Sequence, residues 1–158
     1  MGLFSFNKPS PFKGQKYEEL KKKCQQAGEL FVDPEFPAND KALFHTEASK
    51  IAGIEWKRPK DICDNPQLFV EGTSSNDVTQ GQLGNCWFVA ACSCLAIDKD
   101  IWTKVIPNHN EQEWDPDHPE SYAGIFHFRF WVEGEWMDIV IDDLLPVRGN
   151  QLVFVHSK

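Results

Sequence analysis

Two stretches of the chain carry apolar patterns that predict helices. The first runs from Gln15 to Ala27 and is followed by Gly28. Its apolar residues recur at spacings of three and four, at Tyr17, Leu20, Cys24 and Ala27. Residues at this spacing share one helix face, and a glycine directly after the last of them is a common helix stop. The pattern predicts an amphipathic helix that packs through this face.

The second stretch, from Cys86 to Ala96, is apolar almost throughout. Asn85 precedes it and is a good helix N-cap, and Asp98 ends the apolar run. A helix without a polar face is suited to burial on most of its sides. We therefore expect a central helix that begins at Cys86.

Strict alternation of side chains between residues 122 and 143 predicts a β-hairpin. One face would carry Phe126, Phe128, Phe130 and Val132, and the other Ile125, His127, Arg129 and Trp131. Glu133-Gly134 suits a tight turn, and the apolar face continues through Met137, Ile139 and Ile141 on the return strand. A third strand is expected over "QLVFVH", residues 151–156, after the turn residues "RGN". Asp142 and Asp143 are expected to form a turn or a salt link to Arg148.

Much of the N-terminal half is expected to lack regular structure. Residues 1–14 contain Pro9, Pro11 and Gly14, which favour an extended arm or a frayed terminus. Between Asp33 and Pro66, four X-Pro pairs disfavour helix at the residue before each proline, so this region should run over the surface. Together the elements predict an α+β fold, in which the central helix packs against a short antiparallel sheet.

Composition and charge narrow the class of protein. The 158 residues are 41% hydrophobic and 25% charged, which is enough for one hydrophobic core in a soluble domain. No run reaches the roughly 18 apolar residues of a membrane span. The net charge of -8 makes nucleic acid a poor partner and is more compatible with cation binding. Five cysteines without regular spacing or a preceding signal peptide favour free thiols in the cytoplasm.

Cys86 is the candidate nucleophile because it stands where a glycine-containing loop meets a helix. Unpaired backbone N–H groups and the positive end of the helix dipole favour a thiolate there. Gly81 and Gly84 let the loop approach a bound peptide, while Gln80 can aim its side-chain NH2 at the oxygen that becomes negative during acyl transfer. Trp87 would form a wall of the site. The alternative is an ordinary buried cysteine, which is the interpretation for the other four: Cys24, Cys63, Cys92 and Cys94.

A thiol nucleophile also needs a base, and the histidines of the chain are poor candidates for it. All five are expected to be structural or exposed: His45, His109, His118, His127 and His156. No CxxC or HxxxC spacing occurs, so neither a transition-metal site nor a redox cofactor is expected. The acidic stretch Glu111–Glu120 lacks regular ligand spacing and is interpreted as a solvated loop.

Several segments resemble the calpain family of papain-like cysteine proteases, in the same order along the chain. They are "DICDNPQLFVEG", "QGQLGNCW", "YAGIFHFRFW", "GEWMDIVIDDLLP" and "LVFVHS". The resemblance is greatest to the non-classical calpains, whose protease core is followed by β-sandwich domains and not by an EF-hand domain. It implies an N-terminal arm and helix at residues 1–28, followed at residues 29–158 by subdomain 1 of the catalytic core, incomplete at its C-terminal end.

The resemblance also implies roles for particular residues. Cys86 would be the nucleophile, Gln80 the oxyanion donor together with the backbone N–H of Cys86, and Trp87 and Gly84 the wall of the substrate site. Calcium would bind the carbonyl oxygens of Val70 and Gly72 and the carboxylate of Asp77, oxygen ligands that suit a hard cation. The alternative for these three residues is an acidic surface loop in which Asp77 caps a turn. In calpains the histidine, the asparagine and a further acidic calcium ligand come from later in the chain.

The function implied is calcium-dependent limited proteolysis inside the cell, by thiolate acyl transfer. The expected partners are protein substrates, the second protease subdomain that carries the histidine and asparagine, and downstream β-sandwich domains. We expect residues 1–158 to be inactive alone. Two alternatives stay open: a non-catalytic calpain relative that binds the cytoskeleton, and an incomplete sequence without a function of its own.

Overall fold

The structure is a computed structural model of the 158-residue chain. It describes residues 8–44, 51–68, 86–153 and, for the backbone alone, 78–79 and 156–157. The chain divides into two compact units. Unit 1 comprises residues 1–32 and 103–142, and unit 2 comprises residues 33–102 and 143–158. Helices and small sheets both occur, as the predicted α+β class requires.

A β-hairpin forms the centre of unit 1. Its antiparallel strands are β4, Ile125–Val132, and β5, Glu135–Asp142, in register from the Ile125–Asp142 pair to the Val132–Glu135 pair. The turn residues Glu133 and Gly134 have φ values of 49° and 90°. Positive φ at both central residues is the geometry that matches the twist of a two-residue hairpin. The predicted hairpin and its turn are confirmed.

A third strand extends this sheet at its β5 edge. β1, Ser10–Pro11, pairs parallel with β5 and lies opposite Met137 and Asp138. A 3-10 turn over Phe12–Gly14 follows it directly. Residues 10–11 of the expected arm are therefore extended, as predicted, but they form a strand of a sheet. The local sequence gave no sign of this pairing.

Helix α1, Tyr17–Ala27, packs against this sheet. It ends at Gly28, whose left-handed φ of 66° lets its N–H reach the carbonyls of Cys24 and Gln25. The core of unit 1 joins the helix to the sheet and contains Tyr17, Phe31, Ala123, Ile125 and Val140, with Leu20 and Cys24 packed against it. The predicted helix and stop are confirmed, but Ala27 is exposed, so the predicted apolar stripe ends one turn early.

A buried polar network also ties unit 1 together. The Nδ1 atom of His127 lies 2.8 Å from Oδ1 of Asp138, and the His127 ring stacks on Tyr17 with centroids 3.9 Å apart. Gln112 is buried and makes two bonds: its Oε1 accepts from the His127 backbone N–H at 2.8 Å, and its Nε2 donates to the Pro107 carbonyl at 2.6 Å. Buried polar groups are tolerated when they are paired in this way. The prediction of a structural role for His127 is confirmed.

The acidic stretch Glu111–Glu120 begins in one 3-10 turn, His109–Glu111, and ends in another, Pro119–Ser121. Asp115 accepts from the Asp117 backbone N–H at 2.9 Å and contacts His118 at 3.1 Å. The backbone hydrogen bond from Asp117, followed by the bond with His118, holds the pKa of the Asp115 carboxyl below its usual value. The stretch is mostly exposed, as expected of a solvated loop.

Unit 2 contains a small sheet and short helices. Its sheet has the order β2–β6–β7, with β2 at Glu55–Lys57, β6 at Leu145–Arg148 and β7 at Gln151–Leu152, all antiparallel. In the described part of unit 2 that precedes Cys86, the helices are α2, Asp40–Leu43, and α3, Pro59–Ile62. Residues 33–66 thus hold more regular structure than predicted. The predicted effect of proline holds at Arg58, which stays extended while Pro59 opens α3 at the position where proline is favoured.

One further expectation for unit 2 is wrong. The single strand predicted over residues 151–156 is two strands in different sheets: β7 pairs with β6, whereas β8, His156–Ser157, pairs with β3, Val78–Thr79. Asp143, for which a turn or a salt link to Arg148 was expected, forms a salt bridge with Arg58. The Asp143 side chain is only 1% exposed, so it needs a cation that reaches it from a neighbouring element.

Helix α4, Cys86–Ala96, has the predicted boundaries, and α5, Lys99–Val105, follows it closely. The Asp98 side chain accepts from the Asp100 backbone N–H at 3.0 Å, so this residue both ends the apolar run and caps the next helix. Within the described ranges, no helix is long and apolar enough to cross a bilayer.

Candidate functional site

Cys86 occupies the first position of α4, and its thiol is free and exposed. The first N–H groups of a helix have no partner within the helix, and the helix dipole is positive at this end. Both features favour an anion beside them, and an exposed sulfur can meet a substrate. Cys86 therefore combines access to solvent with a position at the N-terminal end of a helix.

The surroundings of α4 differ from the prediction. Only Val89 of its residues is buried, while Trp87 is 73% exposed and Phe88 is 41% exposed. The expectation of a helix buried on most sides is wrong for this structure. Because α4 is apolar on all sides, its full burial requires packing partners on several sides. Among the described elements, β3 is the strand that packs next to it. Trp87, the predicted wall of the substrate site, is accessible.

Strand β3 lies beside α4 and leads directly to the predicted oxyanion donor. Its last residue, Thr79, precedes Gln80 in the sequence and is paired with His156 of β8. Gln80 and Gly84 themselves fall outside the described residues. The sequence did not reveal that β8 holds β3, because strands of two residues are too short to show alternation.

The other thiols separate into two groups. Cys24 and Cys92 are partly buried, and burial raises the pKa of the Cys92 thiol above its ordinary value of 9.0. Cys63 and Cys94 are exposed, so the expectation that they are simply buried is wrong. Cys94 is on the same helix as Cys86 but far from its N-terminus, which makes it a matched control for the effect of position.

The histidines that the structure describes with side chains are in unit 1. His127 is buried against Tyr17 and Asp138, and His118 contacts Asp115. His45 lies outside the described residues, and for His156 the structure describes only the backbone. The His127 side chain is only 5% exposed and therefore lacks the access that a base needs, whereas the His118 side chain is 68% exposed and contacts Asp115.

The predicted calcium ligands Val70, Gly72 and Asp77 lie outside the described residues. Among the residues described with side chains, no group of three or more histidine, cysteine or acidic side chains could hold a metal ion. Calcium binding at those positions therefore stays a prediction, whose support is the chemistry of the donors: a carboxylate and backbone carbonyls are the oxygen ligands that calcium prefers.

Comparison with known proteins identifies the family. Residues 31–158 match the sequence profile described as "Calpain family cysteine protease". The chain is 53% identical to Calpain-5 of Mus musculus over 97% of its length, 50% identical to Calpain-5 of Caenorhabditis elegans over 93%, and 44% identical to the Calpain-2 catalytic subunit of Mus musculus over 99%. It spans about a quarter of the length of these relatives, 24%, 22% and 22% respectively. The resemblance found in the sequence is confirmed, and the chain belongs to the calpain family of cysteine proteases.

Proposed function

We propose that the protein is a calcium-regulated cysteine endopeptidase and that this chain carries its nucleophile, Cys86. The observation that supports this most strongly is the exposed thiol at the first position of α4, in a chain whose residues 31–158 match the calpain family. The substrates would be proteins, cut at a limited number of sites inside the cell. Its free cysteines are compatible with a reducing compartment, and we propose the cytoplasm.

The reaction proposed is acyl transfer. The Cys86 thiolate attacks the carbonyl carbon of the scissile peptide bond, and the carbonyl oxygen takes up the negative charge. The backbone N–H of Cys86 and the side-chain NH2 of Gln80 donate hydrogen bonds to that oxygen. The amine leaves with a proton from a histidine, and water then releases the acyl group from the sulfur. Trp87 and Gly84 would line the path of the substrate.

The catalytic histidine and the asparagine that orients it are expected outside residues 1–158. Support comes from the calpain resemblance, in which both residues come from later in the chain, and from the burial of His127, whose side chain is only 5% exposed. A thiol without a positioned base is a weak catalyst. We therefore propose that activity requires assembly with a second protease subdomain, and that a polypeptide of residues 1–158 alone hydrolyses no peptide at an enzymatic rate.

Calcium is proposed as the regulator of this assembly. Val70 and Gly72 would contribute carbonyl oxygens and Asp77 a carboxylate, with a further acidic ligand from later in the protein. This loop precedes β3 in the sequence, and β3 leads to Gln80. Ordering the loop would then shift the population towards cores in which Gln80, Cys86 and the histidine are aligned.

The test is hydrolysis of casein by the full-length protein with and without calcium. Cys86→Ala is expected to remove turnover entirely, whereas Cys94→Ala, an exposed cysteine of the same helix, is expected to leave it within about twofold. Asp77→Asn is expected to raise the calcium concentration needed. Turnover that survives Cys86→Ala would refute the proposal. Co-sedimentation with cytoskeletal filaments without any proteolysis would instead support the non-catalytic alternative.

A further inference from the structure

Strand β4 forms one edge of the unit 1 sheet, and part of that edge is open. The strand order is β1–β5–β4, so β4 pairs with β5 through one side only. The backbone N–H of His127 donates to Oε1 of Gln112, which lies outside the sheet. Residues of an antiparallel strand alternate between bonding to their neighbour and pointing away from it. Arg129 and Trp131 therefore direct their N–H and C=O groups to the same outer side as His127.

Gln112 separates this outer side of β4 into a covered part and an open part. Its buried side chain occupies the outer side at His127. In the described part of the chain, no group bonds there to the backbone of Arg129 or Trp131. We call residues 129–133 the open edge. Unpaired backbone groups at a sheet edge can accept a further strand, as in recognition by strand addition.

Arg129 indicates a charge that the added strand would carry. Its side chain is 35% exposed, and its Nε atom lies 4.0 Å from Oδ1 of Asp138, beyond hydrogen-bond distance. That Nε atom has no hydrogen-bond partner among the described residues. A guanidinium has five N–H donors in a geometry that suits carboxylates. An acidic residue on the added strand would therefore find a partner in Arg129.

A second copy of the chain can supply such a strand, and Gln112 limits its register. An antiparallel β4 from the second copy cannot continue beside His127, because the Gln112 side chain is there. The longest overlap that avoids this position runs from residue 129 to residue 133 in both copies. A shift that lengthened the overlap would place Glu133 of the second copy opposite His127. The overlap is symmetric about a two-fold axis at Trp131, and two-fold symmetry is the commonest among protein oligomers.

This register brings complementary side chains together. Arg129 lies opposite Glu133 of the second copy, and the symmetry forms this pair twice. Phe130 lies opposite Val132 of the second copy, and the two are 39% and 38% exposed. Trp131, which is 57% exposed, meets its own counterpart on the other face of the sheet. Opposite-charge pairs and aromatic pairs across neighbouring strands both stabilise a sheet.

We propose that the open edge is a self-association surface, through which two copies of the protein join their β4 strands into one continuous antiparallel sheet. Trp131 exchanges backbone hydrogen bonds with its counterpart, and the pairing of Arg129 with Glu133 fixes the register. The overlap is short, so the dimer is expected to be reversible and to form as the protein concentration rises. The open edge contains none of the residues assigned to the proteolytic site, so this proposal does not depend on the proposed function.

An exchange of charges across the axis tests the proposal. The full-length protein carries Cys86→Ala, which prevents self-digestion, and dimerisation is measured by sedimentation velocity at increasing concentration. Arg129→Glu and Glu133→Arg each place like charges opposite one another, so each variant alone should dimerise at least about tenfold more weakly. An equal mixture of the two variants restores both opposite-charge pairs and should recover the original dimerisation. Glu120→Arg is the matched control, because Glu120 is also an exposed glutamate of unit 1, and it should leave dimerisation unchanged.

Disulfide trapping covers the case in which the charge variants do not fold. Trp131→Cys places two thiols on the axis with Cα atoms about 5.5 Å apart, which a disulfide can bridge. Val132→Cys moves the two thiols apart along the strands, so their Cα atoms are about 8 Å from each other, which is too far. Oxidised glutathione accepts the two electrons and two protons of the thiols, and the linked peptide is quantified by mass spectrometry. We expect at least about tenfold more linkage between copies at position 131 than at position 132.

The outcomes separate a dimer through this edge from any other arrangement. A protein that stays monomeric at every concentration would overturn the proposal. Dimerisation that the charge variants leave unchanged, or a mixture that associates no better than its components, would also overturn it. So would equal amounts of linked peptide for the two cysteine variants.

Discussion

Replacing Gln112 with alanine tests whether the buried network holds unit 1 together. In the structure its Oε1 accepts from the His127 N–H and its Nε2 donates to the Pro107 carbonyl, and the side chain is almost completely buried. The substitution leaves a buried donor and a buried acceptor without partners. Each such group costs about 1–3 kcal/mol, so we expect a loss of about 3 kcal/mol in the free energy of unfolding.

For a chain of this length, that loss corresponds to a fall in Tm of about 6–12 °C. The assay is thermal unfolding followed by circular dichroism, with urea titration to obtain the free energy. Gln25→Ala is the matched control: its Nε2 also donates to a backbone carbonyl, that of Ser121 at 2.7 Å, but in an exposed position. There we expect a change within about 0.5 kcal/mol. Equal losses for the two variants would refute the reasoning, because burial would then contribute nothing.

Three further predictions follow from other contacts. Arg58→Met should destabilise unit 2 by about 3 kcal/mol in urea titrations, because it removes the cation that pairs with the buried carboxylate of Asp143. The double variant with Asp143→Leu should recover part of this loss, because the buried charge is then removed as well. Burial raises the pKa of the Tyr17 hydroxyl above its ordinary value of 10.0. The stability that the neutral hydroxyl contributes is therefore complete below pH 10 and is lost as the pH rises further. Tyr17→Phe should remove this loss of stability at high pH, measured from the urea midpoints at pH 8 and about pH 11. Iodoacetamide should label the exposed Cys86 faster than Cys92, whose thiol is partly buried and has a raised pKa. The labelling rates are measured by mass spectrometry, and equal rates would contradict the difference in exposure between the two thiols.

Elements whose signal is local were predictable from the sequence. The hairpin followed from its alternation and from Glu133-Gly134, since both central residues adopt the positive φ that such a turn needs. The ends of α1 and α4 followed from Gly28 and from the limits of the apolar run. The family resemblance was also available from the residues, in particular the segment around Cys86.

Elements that depend on partners far along the chain were not predictable. β1 and β8 are two-residue strands whose backbone conformation is fixed by β5 and β3, so the local sequence carries no periodic signal. The sequence also did not show which face of the hairpin is buried. His127 looks polar in the sequence, but it is buried, with its Nδ1 paired to Asp138 and its ring stacked on Tyr17. The face with Phe126 and Phe128 is only partly buried.

The candidate site was predicted in part. The position of Cys86 at the start of a helix is confirmed, because the glycine-rich approach and the apolar run mark that junction in the sequence. The exposure of α4 was not foreseen, since apolarity shows that a helix is suited to burial but not which surface covers it. Gln80, Gly84 and the calcium ligands stay predictions.

The most direct test of the central claim is to locate the covalent adduct of an electrophilic peptide. The full-length protein is incubated with calcium and a peptidyl vinyl sulfone, digested, and mapped by mass spectrometry. A nucleophile at the start of α4 predicts modification of Cys86, its dependence on calcium, and no comparable adduct on the exposed Cys94 of the same helix. Equal modification of Cys86 and Cys94, or an adduct at a different residue, would contradict the account.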